Sequence, residues 1–242
     1  AMQYQTTALA FVSSGTAQIA LPRNTFITEI MLVADPFQSQ GDGTSIPTIV
    51  EDAMDKLMQS LSIAGGPTYY GHNNAVLYAK HLGNLNKAVY GGAMIRDDIS
   101  ILSAAANHNN YESWRLHFGA LNDYNPFDIT AGIPAEDESS LQLAIGWSAN
   151  NVQANVSSFN ILQTGTNVYA VVIGVNGLPA EYRANAPIPD FKVDIIGSPT
   201  TASAFNLQGS RFCKRTTIIN QASAASNNNA RNDSNLTDIS IT

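Results

Sequence analysis

A hydrolase can be looked for in the stretch ESWRLHFGALNDYNPFDITAGIPAEDESSLQLAIGWS. It holds His117, Asp123, Asp128, Ser139 and Ser140. These are the residue types of a serine–histidine–acid relay, in which the base must reach the hydroxyl and a third group must orient the base. Alternation argues against that chemistry. Trp114, Leu116 and Phe118 share one face of a strand pattern, and Ser113, Arg115 and His117 share the other. His117 is therefore expected to face solvent or a neighbouring subunit. No G-x-S-x-G elbow surrounds either serine. Glu136, Asp137 and Glu138 form an acidic run, but no second cluster is marked as the partner a glycosidase needs. A solvated loop ahead of a strand is the expected reading. His72, His81, His108 and His117 lack H-x-H or H-x-x-x-H spacing and a nearby cysteine, so no zinc site is expected. Gly65-Gly66 and Gly91-Gly92 are not followed by Lys-Ser or Lys-Thr, and turns account for them. Trp114 and Trp147 lie on apolar strand faces, where core packing is expected over a sugar-stacking platform. No catalytic residue, cofactor or metal is expected.

Charge points the same way. The formal net charge of -7 disfavours nucleic acid as the main ligand. The distribution is uneven: residues 1–204 hold 8 basic and 17 acidic side chains, residues 205–242 hold 4 and 2. Arg211, Lys214 and Arg215 are the only basic cluster. They are expected to form a solvated patch or an intersubunit contact, with a phosphate or lipid headgroup as the other option. Cys213 is alone and excludes an internal disulfide. No apolar run approaches the roughly 20 residues of a spanning helix. Residues 3–7 are polar and uncharged, unlike a signal peptide, and Met2 reads as the natural start.

The elements that must position these residues are mostly strands. Residues 9–21 alternate Leu9, Phe11, Ala17, Ile19 and Leu21 against small or polar neighbours, until Pro22-Arg23-Asn24 breaks the run. Residues 26–33 are apolar on both faces, which suits a strand covered on both sides. Asp35-Pro36 and residues 38–45 read as a loop. A short helix is expected from about residue 49, with Thr48 and Glu51 in capping-box spacing. Its end is ambiguous, because LMQSLSIAG also reads as a strand. Further short helices fit residues 74–82 and 97–106. Residues 114–118, 141–147, 159–161, 168–175 and 191–195 follow as strands, and residues 216–220 and 236–241 as weaker ones. Residues 221–235 are rich in Ala, Ser and Asn and read as a flexible arm or long loop. The fold class is all-β with a few short inserted helices, a single sandwich or closed barrel. Residues 1–197 would form the barrel and residues 198–242 a C-terminal extension that packs on it or on a neighbour.

The chain resembles the vertical jelly-roll major capsid proteins of tailless, icosahedral, internal-membrane-containing phages and archaeal viruses. The residues that carry the resemblance are LPRNTFITEIMLVAD, with its turn at Leu21-Pro22-Arg23 and strand residues Ile27, Ile30 and Leu32. LMQSLSIAGGPTYYGHNN, with Gly65-Gly66, LYAKHLGNLNKAV, and the segment from Trp114 to Trp147 continue it. The resemblance covers residues 8–175. It implies a structural protein of the virion, made in the host cytoplasm and assembling with copies of itself into capsomers. A second capsid protein, a vertex protein and membrane lipid headgroups are implied as further partners. Double-barrel members carry two such units, and 242 residues favour the single-barrel type. Arg211, Lys214 and Arg215 would face anionic lipid or another subunit. A carbohydrate-binding sandwich, lectin-like or from a spike, is the alternative.

Overall fold

The computed structural model describes residues 2–40, 58–65, 68–72, 107–118, 128–147, 160–161 and 163–186. The strands are β1 (Met2–Ala10), β2 (Thr16–Ala20), β3 (Phe26–Gln40), β4 (Met58–Ala64), β5 (Thr68–His72), β6 (Asn107–His117), β7 (Ile133–Pro134), β8 (Gln142–Trp147), β9 (Asn160–Ile161) and β10 (Asn167–Val175). A short helix, α1 (Ala180–Asn185), follows β10. The strands form two antiparallel sheets. One runs β1-β10-β3-β6, with β7 and β9 also pairing β3, and the other runs β2-β8-β4-β5. The chain passes from sheet to sheet, β1 to β2 to β3 to β4, so sequence neighbours face each other across the core. This is a jelly roll, an all-β sandwich of Greek-key type.

Period-two side chains fill the space between the sheets. Leu9, Ile30, Leu32, Trp114, Leu116, Phe118, Val168, Ala170 and Val172 come from the first sheet. Leu61, Ile63, Leu143, Ile145 and Trp147 come from the second. Phe11 sits edge-on to Trp147, with ring centroids 5.3 Å apart. The Trp147 indole N–H donates to the Ala10 carbonyl at 3.1 Å, so its polar atom is satisfied inside the core.

Two expectations need correction. The alternating run over residues 9–21 is not one strand. It is β1, a tight turn and β2, in different sheets. The turn is closed by Gly15 N–H donating to the Val12 carbonyl at 2.9 Å, with Ser14 in the left-handed region at φ 56°. Leu9, Phe11, Ala17 and Leu21 are nonetheless all buried. The parity survives the change of sheet, which is why the pattern looked continuous. Asp35-Pro36 does not end its strand either. β3 continues to Gln40, and its register against β6 slips by one between Ala34↔Glu112 and Phe37↔Asn110. A bulge is a place where a strand tolerates proline, because one residue there leaves the hydrogen-bond ladder.

Segment 58–64, open between helix and strand, is the strand β4. The helix expected before it, those at 74–82 and 97–106, the strands at 191–195, 216–220 and 236–241, and the arm at 221–235 lie outside the described residues.

A second bulge shapes the start of β3. Ile173 pairs Glu29, but Gly174 pairs Ile27, so Thr28 is passed over. Ile27 thereby joins the inter-sheet core with Ile30, while Phe26 is buried outside that core cluster. Gly174 is required there: a Cβ would come within 2.6 Å of the Phe26 carbonyl oxygen. At Phe26 the β10 side of β3 is already taken by Val175, so β7 extends the β6 side.

Candidate functional site

Charged side chains gather at two places among the described residues. The first is the outer face of the six-stranded sheet. Glu29 of β3 lies directly across from His117 of β6 and diagonal to Arg115. The Arg115 guanidinium grips both carboxylate oxygens, Nε to Oε1 at 2.7 Å and Nη2 to Oε2 at 2.6 Å. His117 Nδ1 stands 3.3 Å from Oε2. That is close enough for attraction but misaligned for a hydrogen bond, and neither ring nitrogen has a hydrogen-bond partner among the described residues. Side-chain exposure is 16% for Arg115, 2% for His117 and 0% for Glu29. Burial works to raise the Glu29 carboxyl. His117 and Arg115 outweigh it and hold the group below its ordinary value of 4.5.

This arrangement clamps β3 to β6; it offers no reactive group to a substrate. Acid–base catalysis needs a group within reach of a substrate proton. Both Glu29 oxygens are engaged by Arg115, and His117 is closed to solvent. His117 does lie opposite Trp114, Leu116 and Phe118, as alternation requires, but it is buried where exposure was expected. The reason is its neighbour across the ladder, a carboxylate that sequence spacing does not connect to it. One signal was available: Glu29 is the lone charge in the otherwise apolar run FITEIMLVA, and a charge in a strand apolar on both faces needs a partner.

Among the described residues the candidate relay partners are not brought together. Asp128 instead accepts hydrogen bonds from the Thr130 backbone N–H at 2.9 Å and from the Thr130 hydroxyl. Ser139 and Ser140 are exposed on the segment that leads into β8 of the other sheet. The Ser139 carbonyl accepts a hydrogen bond from Arg23. Asp123 lies outside the described residues, as do Arg211, Lys214 and Arg215.

The second gathering is at the end of the sandwich, where residues 135–140 cross between sheets. Ala135–Asp137 form a single 3-10 turn. Arg183 of α1 reaches Glu136 Oε2 at 2.9 Å and both oxygens of Asp137 at 2.9 and 3.0 Å. The guanidinium beside it holds the Asp137 carboxyl below the usual range. Tyr182 donates its hydroxyl to the Ile129 carbonyl and lies edge-on to Phe26, ring centroids 6.3 Å apart. The acidic run is thus partly a receptor for α1, an element the sequence reading missed. A helix of six residues shows no apolar period, and only Pro179 ahead of Glu181 hinted at its start.

Trp114 and Trp147 are buried, so neither can serve as a sugar platform. Among the described residues Tyr111 is the exposed large hydrophobic side chain, at 40%.

With that geometry fixed, solved structures place the architecture. The chain superposes on the Sulfolobus turreted icosahedral virus major capsid protein with a TM-score of 0.57, at 17% identity, covering 75% of this chain and 50% of that one. The fold is shared with a viral major capsid protein. A chain from the atomic structure of the same virus gives a TM-score of 0.53 at 16% identity, covering 72% of this chain and 45% of that one. The chain therefore spans about half the length of these capsid structures. At the sequence level no family model and no curated protein matches. The likeness is one of fold, the level at which the capsid-type jelly roll was expected.

Proposed function

We propose that this chain is a structural subunit of a viral capsid, acting by assembly with copies of itself and not as an enzyme. One observation carries the reading: the jelly roll superposes on a viral major capsid protein over three quarters of the chain. The closed charge clusters support it, since Glu29, Arg115 and His117 tie strands together and Arg183 ties α1 to the acidic turn. The match spans half of a longer capsid chain, and residues 1–197 are read as one barrel with residues 198–242 as an extension. The mechanism is geometric. A rigid sandwich presents edges and end loops to its neighbours, and closed symmetry turns repeated contacts into a shell. An internal membrane, a second capsid protein and a vertex protein belong to the same reading. Arg211, Lys214 and Arg215 would contact anionic headgroups or the next subunit, and nucleic acid is not a direct partner.

Electron microscopy of the purified chain at high concentration tests this. Rings, sheets or shells are expected, and a strict monomer overturns the reading. For the basic cluster, co-sedimentation with vesicles containing phosphatidylglycerol separates the two contacts. Lipid binding lost on reversing all three charges assigns the cluster to the membrane. Assembly lost without any lipid binding assigns it to a neighbour.

A further inference from the structure

The two strands that end the sheets on one side of the sandwich carry no charge at all. The first charged side chain in the sequence is Arg23. β1 ends the six-stranded sheet and pairs only β10 among the described residues, and β2 ends the four-stranded sheet and pairs only β8. They are joined by the tight turn at residues 11–15, so these two sheet ends lie on the same side.

β1 has none of the devices that keep a sheet edge from pairing. It is nine residues long, MQYQTTALA, without Lys, Arg, Asp, Glu, Pro or Gly. Its register with β10 is unbroken from Met2↔Val175 to Ala10↔Asn167, so no bulge twists it away. Edge strands of soluble proteins are normally blunted by charge, proline, bulges or shortness. Among the described residues the other end of this sheet is β6, which carries His108, Glu112, Arg115 and His117 and faces a bulge in β3. β2 adds Thr16, Gln18 and Ala20 as exposed, uncharged side chains beside β1.

We infer that β1 pairs antiparallel with β1 of a second copy of this chain, joining two sandwiches through a continuous sheet. The inference rests on the capsid reading, which supplies the second copy, and specifies where that copy docks. The choice of partner follows from charge. A two-fold contact joins one patch to itself, residue i meeting j and j meeting i, so charges on such an edge lose water and, where mates share a sign, repel. β1 can face itself without that cost. Turned about Thr6, it sets Gln5 against Thr7 and Tyr4 against Ala8. β6, with its charges and bulge, is the poorer partner.

Amide hydrogen exchange on the full chain across a concentration series, read beside electron microscopy, tests the pairing. Those amides of residues 2–10 that do not bond β10 are expected to gain protection as concentration rises, while β3 stays protected throughout. Protection of these outward amides that is independent of concentration overturns the inference, since the chain's own residues would then cover the edge. Thr6→Lys with Ala8→Lys puts charge on the exposed face of β1. Self-association is expected to weaken at least tenfold at low salt and to recover partly in about 0.5 M salt as the repulsion is screened. An unchanged melting temperature confirms the fold. If wild type and variant assemble alike, this edge is not the contact and the capsid reading stands. If wild type stays monomeric, both fall.

Discussion

Glu29 has no route to water, and two cationic-capable side chains of β6 surround it. Removing one member of such a buried cluster leaves the others unpaired, at a cost of about 3–5 kcal/mol. Glu29→Ala is therefore expected to lower unfolding free energy by about that much in urea titrations. Replacing Glu29 by Leu and Arg115 by Met together should recover most of it, because apolar pairs of similar volume fill the same space. The pH dependence follows from the depressed carboxyl. Its stabilisation is fully present above the ordinary value of 4.5 and is lost as pH falls through the lower folded value. Melting temperature should fall more steeply below about pH 4.5 in the wild type than in Glu29→Gln. None of this cluster was assembled by reading spacings. Arg115 and His117 were placed on the correct face, but their partner is distant in the sequence and meets them only through the β3–β6 register.

At the scale of elements, the bulges and the α1 latch are where local rules yield. The bulge at Thr28 turns Ile27 into the core and needs Gly174 beside it. Gly174→Ala would push a methyl group against the Phe26 carbonyl, and a loss of about 1–3 kcal/mol is expected from the overpacking. Calorimetric scans should set this against Gly177→Ala, where open space surrounds the Cβ but φ is +78°, and where a smaller, purely backbone penalty of about 1 kcal/mol is expected. The latch makes a different prediction. Arg183→Glu reverses the charge facing Glu136 and Asp137, so hydrogen exchange over residues 129–137 and 180–185 should quicken together while that of β3 is unchanged. If the two segments respond separately, α1 is not held by this contact. Pro36 shows how a signal can mislead: it does mark an irregularity, but the strand absorbs it and runs on to Gln40.

Over the whole molecule, the jelly roll closes its core between the sheets, and Trp114 and Trp147 belong to that core. Trp114→Ala is expected to cost about 3–5 kcal/mol. Trp147→Phe should cost less, about 1 kcal/mol for the hydrogen bond to Ala10 together with some packing. Both would be read from thermal unfolding of the isolated chain. Neither should abolish glycan binding selectively, because a buried ring offers no stacking surface. The likeness to a capsid protein at this scale comes at 17% identity and without a matching family model, so it is a likeness of fold.

The amino-acid sequence by itself determined the alternation: which side chains of residues 9–21, 114–118 and 141–147 turn inward, and hence an all-β sandwich without a visible catalytic motif. That information is local, because a strand's two faces follow from its period of two. Tertiary structure alone decided that residues 9–21 split between two sheets, that His117 is buried against Glu29, and that α1 locks onto the acidic turn. It also decided that, among the described residues, the uncharged β1 and β2 end their sheets on one side. Strand order and the cover over each face arise from contacts between residues far apart in the chain, and no periodicity along the chain encodes them.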